Sequence, residues 1–335
     1  MFSVDNQAKK ILDVVGIGNA IVDILIQTQD SFLLEHSLPK GSMKLVEDEY
    51  ANELYAKSKL GIEKSGGSAA NTLSGIAQLG GKAGFIGRVK DDKLGKVFTK
   101  EICATGAIFS TPPTRLGPST ARCLIFITPD AQRTMCTYLG ASILLEPSNL
   151  DLSIIKSSKI LYLEGYLWDN EAAKEAFIVA SKTAKENGNE VALSLSDSFC
   201  VSRHRASFIE LVRNHINILF ANESEILSLF ECDKIDYAID KLEGMCEVSV
   251  ITLGEEGSII LSKGERLKIN SYKLGDLKDT TGAGDLYAGG FLYGYTNNES
   301  LENCGKIGSI CAGHIVTQIG PRSEISLKDL INKWL

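Results

Sequence analysis

The sequence predicts an α/β fold, a doubly wound and mainly parallel sheet with helices on both faces, joined by a small β-sheet. Three observations predict it. Short apolar runs rich in Val and Ile recur along the chain, helix-period stretches stand between them, and one region breaks this alternation with two adjacent β-rich runs.

Leu12 to Ile17 is the first apolar run; with glycine at 16 and 18 it reads as a buried strand. Strand-like runs recur at Lys159–Leu163, Val191–Leu195, Ile216–Phe220 and Val248–Thr252. Between two of them, Ala173, Phe177, Ala180 and Ala184 fall on one helix face, and Gly188 stands where that helix would stop. Ala121–Thr128 and Arg133–Leu139 flank Pro129-Asp130-Ala131-Gln132, a turn signal, and so predict a hairpin. With Ile21–Gln27 the hairpin could build a second sheet, contributed by about 19–50 and 115–141. Such a sheet is a natural lid for a site that must exclude water. A length of 335 residues is compatible with one domain, 1–335, carrying this appendage.

Hydrophobic residues at 44% and charged residues at 23% fit a globular protein with a sizeable core and indicate neither disorder nor a fibrous repeat. A formal charge of −7 with no Lys/Arg run argues against nucleic acid as a partner. No apolar stretch reaches the roughly 18 to 20 residues of a membrane span, and Met1 to Lys10 lacks the apolar segment of a signal peptide. The expected address is therefore the cytoplasm. Cys103, Cys123, Cys136, Cys200, Cys232, Cys246, Cys304 and Cys311 contain no C-x-x-C pair and read as reduced core thiols. His36, His204, His215 and His314 are dispersed, which leaves zinc hydrolysis without support.

The most informative stretch is Asp279-Thr280-Thr281-Gly282-Ala283-Gly284-Asp285. Small residues at 282 to 284 bare the backbone N–H groups at a helix start, where dipole and orphan donors together favour an anion such as phosphate. Asp285 would sit in the first turn, kept ionised by the same dipole and able to accept a hydroxyl proton as a bond to phosphorus forms. The bland alternative is a glycine-rich cap on a buried helix, with Gly289, Gly290 and Gly294 packing closely on the sheet. A second stretch, Ser65-Gly66-Gly67-Ser68-Ala69-Ala70-Asn71, offers a glycine hinge, and Asn71 supplies both a donor and an acceptor for a polyol. It also reads as a Ser-capped helix start. Asn222-Glu223-Ser224-Glu225 has the spacing of a capping box.

Together these stretches resemble the two signature motifs of the ribokinase-like (PfkB-type) carbohydrate kinases, in the same order and separation, over nearly the whole chain. Gly84 to Gly87 with Asp92 to Gly95, and the N-x-x-E run at 222–225, resemble further family stretches. Gly16 to Asp23, Tyr162 to Tyr166 and Leu195 to Phe199 resemble its adenosine kinase branch. The resemblance implies a kinase that uses ATP and Mg2+ to phosphorylate a primary hydroxyl of a nucleoside, adenosine above all, or of a sugar such as ribose or fructose. It implies Asp285 as base and the amides of Gly282, Ala283 and Gly284 as an anion hole. Asn19, Asp23, Gly66, Gly67, Ser68 and Asn71 would serve the acceptor, Tyr166 would stack on a base, and Arg133 would reach the transferred phosphate from the lid. Asn222 and Glu225 would organise Mg2+ and phosphates, Glu225 indirectly. Thr252, Gly254, Gly257 and His314 would lie along ATP, although His314 also reads as a buried helix histidine. Asp279 and Thr281 match positions that hold a monovalent cation, which implies a candidate K+ site. Phe199 and Tyr138 are further candidates for the base clamp. Monomer and homodimer both stay open.

Gly16-Ile17-Gly18 suggests a dinucleotide oxidoreductase, but Ile21 stands where that fingerprint needs its third glycine. No Walker motif occurs, since Lys90 and Val97 occupy two of its required positions around Gly95-Lys96. A catalytically silent nucleoside or sugar sensor would lack the base, and Asp285 is present.

Overall fold

The computed structural model describes residues 10–58, 61–130 and 132–335, so the expectation for residues 1–9 and for Ala131 of the predicted turn lies outside the described residues. The strands of the first half are β1 (Leu12–Ile17), β2 (Ile21–Gln27), β3 (Met43–Leu45), β4 (Ile62–Gly66), β5 (Ala83–Ile86), β6 (Ile108–Phe109) and β7 (Ala121–Ile127). There follow β8 (Arg133–Tyr138), β9 (Ser158–Glu164), β10 (Glu190–Ser194), β11 (Ile218–Asn222), β12 (Val248–Thr252), β13 (Ser258–Ser262) and β14 (Glu265–Ile269).

The larger sheet runs β14-β13-β12-β11-β10-β9-β1-β5-β6. Its pairs are parallel apart from β12–β13 and β13–β14. Adjacent residues of β1 enter opposite layers: Val14 packs with Tyr162, Phe220 and Phe291, and Val15 with Leu161, Phe177 and Phe208. Because both faces are covered, the strand is apolar throughout instead of alternating. The predicted helix spans Glu171–Glu186, capped by Asn170, whose side chain accepts from the amides of Ala172 and Ala173. It stops before Gly188, which takes φ +67°.

The smaller sheet has the order β3-β8-β7-β2-β4. β7 and β8 form the expected hairpin, closed by the Thr128 amide donating to the Gln132 carbonyl at 3.0 Å. β4 joins it antiparallel to β2. Its sequence, Ile62-Glu63-Lys64-Ser65-Gly66, carries no apolar alternation, so nothing local announced it. Only Gly18, Asn19 and Ala20 separate β1 from β2, so the chain passes from one sheet to the other beside the carboxyl end of the central strand. The strand order reverses at β1, with β5 on one side and β9 on the other, and such a switch point is where open α/β sheets hold ligands.

One packing expectation needs correction. Gly289 and Gly290 face helices, not the sheet: a Cβ at 289 would stand 2.8 Å from the Thr72 carbonyl oxygen, and one at 290 would stand 2.9 Å from Gly308 Cα. Gly294 likewise lies against Cys304. Helices Ser68–Gln78, Ala283–Thr296 and Leu301–Ile315 thus approach backbone to backbone, locking together the two helices whose N-termini build the site. Among the described residues no helix is long and apolar enough to cross a membrane.

Candidate active site

Helix Ala283–Thr296 starts after Gly282, which adopts the left-handed conformation at φ +80°. Pro321 packs beneath it, so close that a Cβ at 282 would lie 2.5 Å from the Pro321 Cβ. The expected set of three anion-binding amides is reduced by one, because the Ala283 N–H donates to the Thr280 carbonyl at 3.1 Å. The amides of Gly282 and Gly284 have no partner among the described residues, which leaves donors free for an anion.

Asp285 follows in the first turn. Its Oδ1 accepts from the Ser68 hydroxyl at 2.6 Å and its Oδ2 from the Asn71 side-chain amide at 2.8 Å. Ser68 and Asn71, expected to serve the ligand, therefore hold the carboxylate. The helix dipole does not keep this acid in the ordinary range. Burial pushes its pKa up, opposed by the bonds from Ser68 and Asn71 and by the charge of Arg322. A raised pKa makes a stronger base.

Facing Asp285 across the cleft is a set of buried acceptors. Burial drives Asp23 up to about 7 against the pull of Arg322 and Arg133, helped by repulsion from Asp285. Glu164, at the end of β9, accepts from the Asn19 amide at 3.2 Å, the Asn19 side-chain Nδ2 at 2.7 Å and the Ala69 amide at 2.8 Å. Burial lifts Glu164 to about 7 as well. With the Nδ2 groups of Asn19 and Asn71 both committed to carboxylates, their buried Oδ1 atoms have no partner among the described residues. Buried acceptors of this kind are costly unless a donor reaches them, so they suit a ligand that carries hydroxyl groups.

Two cavities meet at this helix start. The first, about 540 Å3, is lined by Asn19, Asp23, Gly67, Ser68, Asn71, Tyr166 and Asp285 among others. The second, about 560 Å3, is lined by Thr252, Gly254, Gly257, Tyr272, Ala312 and Gly313 among others. Thr252, Thr280, Ala283, Gly284 and Tyr287 line both. Each has the volume of a small-molecule site, and the amide nest stands between them.

Several expected residues lie elsewhere. His314 lines neither cavity: it is buried and bonds through Nε2 to the Ser323 hydroxyl at 2.9 Å, the bland alternative. Asn222 and Glu225 line the first cavity and not the second, and together they form the capping box of helix Glu223–Phe230. Burial raises Glu225 to about 7. Gly66 lies behind the wall, where a Cβ would collide with the Asp23 carboxylate. Of the proposed base clamps, Phe199 is 72% exposed and outside the cleft, and Tyr138 lies under the Arg122 guanidinium at 5.0 Å. Only Tyr166 lines the cleft, and Leu139, missed in the sequence, lines it too.

Arg133 of β8 pairs with Asp279 at 2.7 Å, both side chains nearly buried, and its Nη2 has no partner among the described residues. Asp279 also accepts from the amides of Thr281 at 3.0 Å and Gly320 at 2.8 Å. A guanidinium already balances the charge of this carboxylate and two amides occupy its oxygens, so Asp279 and Thr281 do not fit a K+ site here. Among the described residues no three acidic, His or Cys side chains cluster as a metal cage. Mg2+ usually keeps several waters and leans on substrate phosphates, so it needs no such cage; Glu225, whose carboxylate accepts from the Asn222 amide and side chain, lines the first cavity.

Sequence reasoning missed Glu164 and Arg322. A carboxylate closing an apolar strand at the switch point was a usable signal for the first. Arg322 gave none, since its partners Ser65 and Ala70 lie more than 250 residues away.

Comparison with known proteins adds an independent line. The model of a family described as pfkB family carbohydrate kinase matches residues 42–328. The crystal structure of adenosine kinase from Sinorhizobium meliloti is 46% identical, covers 97% of this chain and 99% of its own, and superposes with a TM-score of 0.90. A probable sugar kinase from Rhizobium etli is 43% identical over 98% of this chain and 99% of its own, with a TM-score of 0.91. The 5-dehydro-2-deoxygluconokinase of Listeria innocua is 30% identical over 76% of this chain and 81% of its own length.

Proposed function

Because the chain belongs to the pfkB family of carbohydrate kinases and is a kinase, we propose that it transfers the γ-phosphoryl group of ATP to the primary hydroxyl of a nucleoside, adenosine first among them. The observation that carries this reading is the meeting of two cavities at one amide nest, with Asp285 on the wall of the first cavity alone.

The acceptor lies in the first cavity. Asp23 and the free Oδ1 atoms of Asn19 and Asn71 are all acceptors, which matches a vicinal diol donating two protons. Leu139 and Tyr166 supply an apolar wall for a flat base, which a simple sugar would leave unused. The second cavity takes ATP, and its phosphates reach the nest through Thr252 and Gly284. Asp285 orients the hydroxyl and accepts its proton, while the amides of Gly282 and Gly284 receive charge on the moving phosphoryl group. Arg133, held beside the nest by Asp279, offers its unpaired Nη2 as a donor there, and the smaller sheet that carries it acts as the lid. Bound Mg2+ would neutralise charge between the phosphates.

ADP release measured with adenosine, inosine, ribose, fructose and 5-dehydro-2-deoxygluconate tests the assignment. Adenosine is expected to give the highest kcat/KM, and a free sugar outranking every nucleoside would overturn it. Potassium is expected to leave the rate unchanged.

Asp23 gives a pH signature. Its pKa of about 7 means that the ionised form, which accepts two hydroxyl protons, grows as pH rises. The acceptor KM should fall from about pH 6 to about pH 8. Asp23→Asn should raise that KM by about one to two decades and abolish the trend, with little change in kcat. A KM trend surviving in the variant assigns it to another group.

A further inference from the structure

We propose that Arg322 is a positioning residue for this reaction: a half-buried guanidinium that braces the Gly66-Gly67 hinge through the flanking carbonyls of Ser65 and Ala70 and supplies positive charge to Asp23 and Asp285. The proposal rests on the reading of Asp285 as base.

Arg322 lines neither cavity, so it acts through other residues. Its Nε and Nη2 donate to the Ser65 carbonyl at 3.2 and 3.1 Å, Nη2 reaches the Ser65 hydroxyl at 3.2 Å, and Nη1 donates to the Ala70 carbonyl at 2.8 Å. Ser65 lies at the end of β4, and Ala70 in the first turn of helix Ser68–Gln78. The planar fork thus spans the two glycines between them. Gly67 there takes φ +97°, and a Cβ on it would strike the Asn19 carbonyl. The conformation that brings Ser68 and Asn71 onto Asp285 is held from behind.

The two preceding residues serve the other half of the site. The Gly320 amide donates to Asp279 at 2.8 Å, and Pro321 packs under Gly282. Three consecutive residues therefore join the amide nest, the Asp279–Arg133 pair and the hinge.

All the hydrogen-bond acceptors of the fork are neutral groups of Ser65 and Ala70, and its charge also acts on the site. Asp23 from β2 and Asp285 from the nest helix both feel Arg322. Arg133 acts on Asp23 as a second cation, and repulsion from Asp285 opposes it. Glu164 and Tyr162 of β9, Tyr166 and Glu225 all feel the charge of Asp285, and Glu101, which pairs with Lys64 at 3.5 Å, acts on Arg322. Burial lowers Arg322 itself to about 10, still charged at neutral pH.

The test uses Arg322→Gln and Arg322→Lys in the full chain, with kcat/KM against pH and hydrogen exchange over residues 65–71. Glutamine keeps amide donors and deletes the charge. Its acid limb should move to higher pH by about one unit, because an unassisted carboxylate ionises later. Lysine keeps the charge and loses the fork. Its acid limb should stay put, exchange at the hinge should quicken and the acceptor KM should rise several-fold. An unmoved limb in the glutamine variant, a shifted limb in the lysine variant, or unchanged exchange in the lysine variant overturns the proposal. If the glutamine variant fails to fold, the lysine variant decides alone. Full turnover in Asp285→Asn would remove the base reading and leave the hinge measurement standing.

Discussion

Asp285→Asn is expected to fold and bind acceptor normally while losing about two to four decades in kcat, the range for removal of a general base. The amide can accept from Asn71 and donate to the Ser68 hydroxyl, which accepts as readily as it donates, so both neighbours stay satisfied. Stability should not fall at neutral pH. An acid whose folded pKa is raised makes the folded state less favourable as pH climbs above its unfolded value, and the neutral amide escapes that loss. The same shift fixes the wild-type pH profile: activity should rise with pH through an acid limb above the ordinary carboxylate range. A steady-state profile and a thermal melt check both statements. Turnover within a factor of a few of wild type would rule out Asp285 as the base.

The second large effect is expected at Gly282. Alanine there must adopt φ +80° with its Cβ 2.5 Å from that of Pro321, so either the loop or Pro321 moves. The strain should lower stability by about 1–3 kcal/mol. Turnover should drop by about two decades or more, because the displaced amides no longer aim at the developing charge. Gly284→Ala is the control. Nothing lies within 4 Å of a Cβ at 284, and alanine suits a helix better than glycine, so its melt should match or exceed wild type. Equal melting losses in the two variants would show that loop geometry at 282 is not special.

Arg133 and Asp279 illustrate where the sequence was readable and where it was not. Both stood out in the chain, one in a hairpin and one before a glycine-rich turn. Their partnership across 146 residues did not, and it changes the chemistry: the carboxylate expected to hold a cation already holds a guanidinium. Ser68 and Asn71 were likewise identified as polar groups near a ligand, but which partner they bond was invisible until the start of helix Ser68–Gln78 was set against Asp285. His314 shows the limit of carrying a role by position, since a side chain on a helix facing Ser323 cannot also face the second cavity.

What the sequence by itself determined is local. Apolar runs of strand length, helix periodicity, turn residues and a glycine-rich helix start are each set by neighbours in the chain, and so the layered α/β fold, the hairpin and Asp285 in its first helical turn could be read directly. The tertiary structure alone decided which buried polar groups are paired, because hydrogen-bond partners and burial depend on residues far apart in sequence. For that reason the orphaned acceptors of Asn19 and Asn71, the bracing carboxylate of Glu164 and the guanidinium of Arg322 became visible only once the helices, sheets and C-terminal loop were brought together.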